Sequence, residues 1–199
     1  HLPLRFDPLP FVDLAPQSGG SIARFRFGDT VDLLRPMTPA AIASGRGNDA
    51  ACYPLVPFSN RIANGHLTFN GEAIRLEPNW PGVRHPMHGE GWARPWQVAA
   101  HDGRTAEIVH AHDGSTGWPF RYRAHQSFRL DEDGLKVRMS IENLERRTVP
   151  AGLGLHPFFV RDADTELQFR AAAVWLGDEE VLPTERIAVP AVWAYTAAR

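Results

Sequence analysis

Three stretches of this chain concentrate the residue types that do chemistry, and each interrupts the two-residue rhythm that runs through most of the sequence. In Ser59-Asn60-Arg61-Ile62, arginine offers a rigid fork of donors and asparagine both a donor and an acceptor. Such a pair suits neighbouring hydroxyl groups, although many loop arginines only bond backbone carbonyls. In His85-Pro86-Met87-His88-Gly89-Glu90-Gly91-Trp92, two glycines allow close backbone approach and Trp92 offers a flat apolar face. The two histidines there are three apart, but Pro86 spoils a helical pairing and no third ligand follows, so no metal site is expected. The third stretch, Gly152 to Phe159, sets His156 between Leu155 and Pro157 and ahead of Phe158 and Phe159. Histidine holds or releases a proton near neutral pH, which makes His156 a candidate general acid or base; the plainer reading is a core histidine. His110 and His112 would share one face of a strand and read as solvent-exposed. Many carboxylates are present, Glu90 among them, but none stands in a context that marks a base.

The elements that must position these residues read as strands. Gly and Pro number 17 each and cut the chain into short pieces. Ala23, Phe25 and Phe27 alternate with Arg24 and Arg26, the pattern of a strand with one wet face. Leu67 and Phe69, then Asn70-Gly71, then Ile74 and Leu76 predict a hairpin, because Asn-Gly accepts the positive φ angles of a tight turn. A second hairpin is expected from Tyr122, Ala124, Phe128 and Leu130, the turn Asp131 to Gly134, and Leu135, Val137, Met139 and Ile141. Glu166 to Arg170 alternates through Leu167 and Phe169, Ala171 to Leu176 continues or starts a strand, and Pro39 to Ser44 alone suggests a helical turn. Short antiparallel strands with one polar face predict a sandwich, since each sheet must bury its apolar side.

Composition narrows the class further. A chain of 199 residues is expected to form one domain, 1–199. Twenty-one basic against 23 acidic residues, a net charge of −2, advertise neither a nucleic-acid nor a membrane surface. No apolar run approaches the roughly 18 residues of a membrane helix, and the first residues lack the pattern of a secretion signal. The single Cys52 cannot form an internal disulfide, so a reducing, cytoplasmic location is expected. Oligomeric state is not legible.

Taken in order, Asn60-Arg61-Ile62-Ala63-Asn64-Gly65, the hairpin to Leu76, His85-Pro86-Met87-His88-Gly89, Trp92, Pro95-Trp96 and Gly154-Leu155-His156-Pro157-Phe158-Phe159 resemble the aldose 1-epimerase (galactose mutarotase) family from Phe11 onward. The stretch Thr184 to Tyr195 resembles it too. The resemblance implies an all-β fold, the large antiparallel β-sandwich of the galactose mutarotase-like type, with a sugar in a groove across one sheet. It implies interconversion of the α and β anomers of a free hexose, with no metal or organic cofactor. It assigns Asn60 and Arg61 to sugar hydroxyls, His88 to the ring oxygen or anomeric region, and His156 to the general acid, with Trp92 and Phe158 lining the sugar site. Phe158 departs from a tyrosine that many relatives carry, so a hydroxyl contact is lost. Relatives run to roughly 300 residues and take an aspartate and the general-base glutamate from the last third. The chain ends at Arg199, ahead of both, and so is expected to lack the C-terminal third of the fold and to bind better than it turns over. Two alternatives stand beside this reading: a non-catalytic carbohydrate-binding protein, and a hexose-phosphate mutarotase in which Arg84 or Arg94 clamps the phosphate.

Overall fold

A computed structural model of the chain describes residues 1–6, 10–115 and 117–197. The strands are β1 (Leu2–Arg5), β2 (Phe11–Ala15), β3 (Ser21–Phe27), β4 (Val31–Leu34), β5 (Cys52–Leu55), β6 (His66–Phe69), β7 (Glu72–Arg75), β8 (Gln97–His101), β9 (Thr105–His112), β10 (Tyr122–Asp131), β11 (Gly134–Asn143), β12 (Gly154–Pro157), β13 (Val174–Gly177) and β14 (Pro183–Ile187). The one α-helix among the described residues is α1 (Pro39–Ser44). Where the sequence suggests one domain, the contacts divide into two compact units, 1–160 and 161–199.

In the first unit, one sheet runs in the order β1-β2-β3-β5-β12 with β4 also paired to β3, and a second runs β11-β10-β9-β8. Every ladder is antiparallel. Leu4, Val12, Leu14 and Ile22 of the first sheet share one buried cluster with Ile108, Tyr122, Ala124, Phe128 and Leu130 of the second, so the two inner faces close on each other as a sandwich. β10 shows the reason most cleanly: Tyr122, Ala124, Gln126, Phe128 and Leu130 all point inward at period two. Gln126 is the polar member, and its amide nitrogen has a partner in the Gly20 carbonyl, to which it donates at 2.8 Å.

The alternation expected of β3 is only partly kept: Arg24 and Arg26 are half-buried, and Phe27, expected on the dry face, is exposed. Ala23 packs with Ala15, Met37, Ala41 and Ala50 under α1, while Ile22 faces the sandwich core. That helix forms where expected, because Thr38 caps Ala41 N at 3.1 Å and Gly45 ends it in a left-handed conformation. The hairpin β6–β7 and the longer hairpin β10–β11 also form as predicted. Asn70 and Gly71 carry φ of 50° and 80°, as their tight turn requires.

Two expectations change. Glu166 to Arg170 is exposed and forms no strand, for its alternation finds no partner ladder to take its backbone groups. Phe169 instead donates its N–H to the Tyr195 carbonyl at 2.9 Å and stacks on that ring, within a second unit whose strands are β13 and β14. His156 lies not in a loop but on β12, an edge strand paired with β5. No helix among the described residues is long and apolar enough to cross a membrane.

Candidate functional site

The β5–β12 ladder sets His156 directly across from Tyr53. Their rings stack at 4.8 Å and 15°, Phe158 packs on His156 at 4.7 Å and 26°, and Tyr53 and Phe158 also meet, tilted, at 6.1 Å, so the three rings form one cluster. The guanidinium of Arg35 lies 4.3 Å over the Phe158 ring, so His156 belongs to a packed cluster of flat groups that restrains its plane. His88 meets this cluster edge-on, its ring 5.5 Å from His156 and 6.3 Å from Tyr53.

The turn carrying His88 is stitched to its surroundings mainly by main-chain bonds. His88 and Gly89 adopt φ of 62° and 65°, and this conformation lets several amides converge on fixed carbonyls. His88 N donates to the Asn60 carbonyl at 2.9 Å, and Ile62 N to the Pro86 carbonyl at 3.0 Å. Arg61 and Met87 form a bridge between these bonds, which places the Asn-Arg pair beside His88. Glu90 N and Gly91 N both donate to the Val56 carbonyl, each at 3.0 Å. Asn79 completes the frame: its amide donates to the Met87 and Gly89 carbonyls at 2.8 and 2.7 Å and accepts from Met87 N at 2.9 Å. His85 is buried and accepts from Asn64 N at 2.9 Å, which makes it a brace for the same loops.

Trp92 is only 2% exposed, and its indole donates to the Gly89 carbonyl at 3.0 Å. It packs beneath Tyr53 and against the half-buried Trp80, so it supports the turn instead of presenting an open face. The structure thus brings Arg61, His88, His156 and Phe158 together and sets Trp92 below them. Tyr53 and Asn79 were missed from sequence: Tyr53 gains its place only through the β5–β12 register, and nothing local marks Asn79. Asn60 is exposed, and its carbonyl holds His88 N in the frame.

The electrostatics of His88 follow from its setting. Burial, then the positive charge of His156 and Arg61, holds the His88 pKa down at about 4, so His88 is neutral at pH 7. Cys52, beneath the same ladder, has its thiol pushed up to about 12 by burial and is inert.

A second titratable group lies under the turn, where exposed decoration was expected. His110 and His112 point inward from β9, 8% and 7% exposed, and meet Glu90, also buried. Glu90 contacts His112 Nδ1 directly, lies 3.8 Å from His110 Nε2 and 3.7 Å from Arg94, and accepts from the Tyr122 hydroxyl at 3.4 Å. Burial opposes charge on both Glu90 and His112, yet their mutual contact wins. The imidazoles and Arg94 hold the carboxyl at about 2, and the carboxylate with the Trp118 carbonyl raises His112. The three side chains have the donor types of a metal site, with donor atoms within 4.8 Å of one another. With its charge already met by His112 and Arg94, Glu90 reads as one half of a buried ion pair. Arg94 approaches Glu90 through its Nε while its side chain stays half exposed.

With the geometry established, comparison with known proteins identifies the family. The sequence model of the aldose 1-epimerase family matches residues 13–193. The chain belongs to that family. The uncharacterized protein YphB of Escherichia coli (strain K12) is 36% identical over 174 residues, which is 87% of this chain and 57% of that protein. A crystallised protein of Escherichia coli K12, described as a candidate aldose 1-epimerase, superposes with a TM-score of 0.88 at 34% identity, over 99% of this chain and 65% of its own. The aldose 1-epimerase of Escherichia coli (strain K12) is 28% identical over 137 residues, 67% of this chain and 38% of that enzyme. The chain therefore spans less than two thirds of the length of each of these relatives, and its sandwich is that of the galactose mutarotase-like proteins.

Proposed function

We propose that this chain carries the sugar-binding face and the general acid of an aldose 1-epimerase acting on a free hexose. The observation behind this reading is the placement of His156, packed against Tyr53 and Phe158 and beside His88, whose turn is bridged to the Asn60-Arg61 pair. Mutarotation opens a hemiacetal: an acid protonates the ring oxygen while a base takes the proton of the anomeric hydroxyl. The C–O bond breaks, rotation about C1–C2 turns the aldehyde, and reclosure inverts the anomeric centre with acid and base exchanging roles. His88, neutral at pH 7, is suited to hydrogen-bond the sugar, and the family resemblance gives the proton-donor role to His156. Arg61 then holds hydroxyls, and the Phe158 and Tyr53 rings keep the His156 plane fixed so that its proton meets one oxygen. The resemblance gives the base to a glutamate in the last third of the family's length.

Titration calorimetry with glucose and galactose, and polarimetry on freshly dissolved α-anomers, test the reading. Saturable binding that is lost in Arg61→Ala supports it. The absence of any hexose binding refutes it, and binding without acceleration by the protein would make it a carbohydrate-binding protein. Tighter binding of hexose 6-phosphate than of hexose would move the substrate to a phosphorylated sugar.

A further inference from the structure

We infer that Glu90 and His112 form a latch that positions His88, fastening the turn that carries it to the second sheet. The inference rests on the sugar-binding reading of His88, but its geometry stands apart from that reading. Glu90 follows His88 by two residues in the same turn. Its backbone N–H bonds Val56, just past β5 in the first sheet, while its side chain crosses to β9 and β10 of the second. His112 is held at both ends: Nδ1 meets the Glu90 carboxylate and Nε2 lies 2.7 Å from the Trp118 carbonyl. Its ring also stacks on Tyr122 at 5.0 Å and 26°, so it cannot swing to follow a displaced turn. His110 packs on Trp96 and meets Tyr122 edge-on, filling the remaining side of the pocket.

The turn needs such a fastening. A non-glycine residue at φ of 62° is costly and persists where its surroundings over-determine it. Main-chain bonds fix the turn to the first sheet, and Asn79 braces it within its own loop. The Glu90 side chain ties it to the opposite layer. Neither Glu90 nor His112 is placed among the groups touching the sugar, so both act through His88 as positioning residues.

The test compares full-chain Glu90→Ala, Glu90→Gln and His112→Gln. Two quantities are read: hexose affinity, and the NMR ring resonances of His88, which report its position against Tyr53 and His156 through ring currents. Glu90→Ala is expected to move the His88 resonances and weaken hexose binding about tenfold, the scale of a displaced binding group. Glu90→Gln keeps an oxygen for the His112 N–H and is expected to restore both to within about threefold of the parent. His112→Gln, altered on the other sheet, is expected to move the His88 resonances in the same sense, and it carries the comparison should Glu90→Ala not fold. Unchanged His88 resonances in a folded Glu90→Ala protein overturn the latch. So does stoichiometric zinc in the parent whose removal by chelator moves those resonances, for the cluster would then be a metal site. A parent that binds no hexose refutes the proposed function alone, and the resonance comparison still decides the latch.

Discussion

Replacing Gly89 by alanine puts the framing of the His88 turn to a quantitative test. The residue sits at φ of 65°, where an L side chain costs about 1–2 kcal/mol. A Cβ built there would stand 2.1 Å from the Val56 carbonyl oxygen and 2.6 Å from Pro57 N. Both are main-chain atoms of a buried segment, so no side-chain rotation relieves the clash. The turn has to back away by about 1 Å to regain contact distance. That movement breaks or lengthens the bonds from Glu90 N and Gly91 N to the same carbonyl, each worth about 1 kcal/mol net. The expected total is about 3–4 kcal/mol. Gly71→Ala is the control, since Gly71 has φ of 80° in its hairpin but nothing within 4 Å of the added Cβ. It should lose only the conformational part, about 1–2 kcal/mol. Urea unfolding followed by tryptophan fluorescence measures both, as Trp92 and Trp96 lie in the affected loop. Equal losses in the two variants would refute the reasoning, because the close approach to Val56 would then count for nothing.

The remaining expectations concern chemistry, pH and packing. His156→Gln keeps a hydrogen-bonding group but no titratable proton, so wherever the parent protein shows turnover it should fall roughly 10²-fold or more while hexose affinity persists; joint loss of affinity and melting temperature would mark a structural histidine. An NMR pH titration of His88 should show a midpoint near 4, and a midpoint at or above 6.5 would contradict the burial argument. Between those two values the unfolded chain binds the proton and the folded one does not. The His88 contribution to stability is therefore present above pH 6.5 and lost as pH falls through about 4, which acid unfolding of the parent against His88→Phe can separate. Trp96→Phe removes a fully buried indole whose N–H donates to the Gly91 carbonyl at 2.9 Å, and should cost about 1–3 kcal/mol in urea unfolding; a loss under 0.5 kcal/mol, roughly the scale of a surface change, would argue against that bond.

What the sequence determined by itself was what depends on neighbours along the chain. The alternation of Tyr122 to Leu130 announces a strand, Asn70-Gly71 a tight turn and Thr38 a helix start, because period, φ preference and capping are local properties. The family motifs likewise marked Arg61, His88 and His156, and the fold brought them together. Tertiary structure decided which side of each strand is inside. Period two puts His110 and His112 on one face but is silent on whether that face meets water, and only the closing of the sandwich over Glu90 made it the inner one. The alternation at Glu166 to Arg170 is as good locally, yet it stays coil, since a strand exists only where another supplies hydrogen bonds. Tyr53 and Asn79 show the same limit at the site. Their roles come from a pairing more than a hundred residues apart and from carbonyls presented by a folded turn, and neither separation nor orientation is written in local composition.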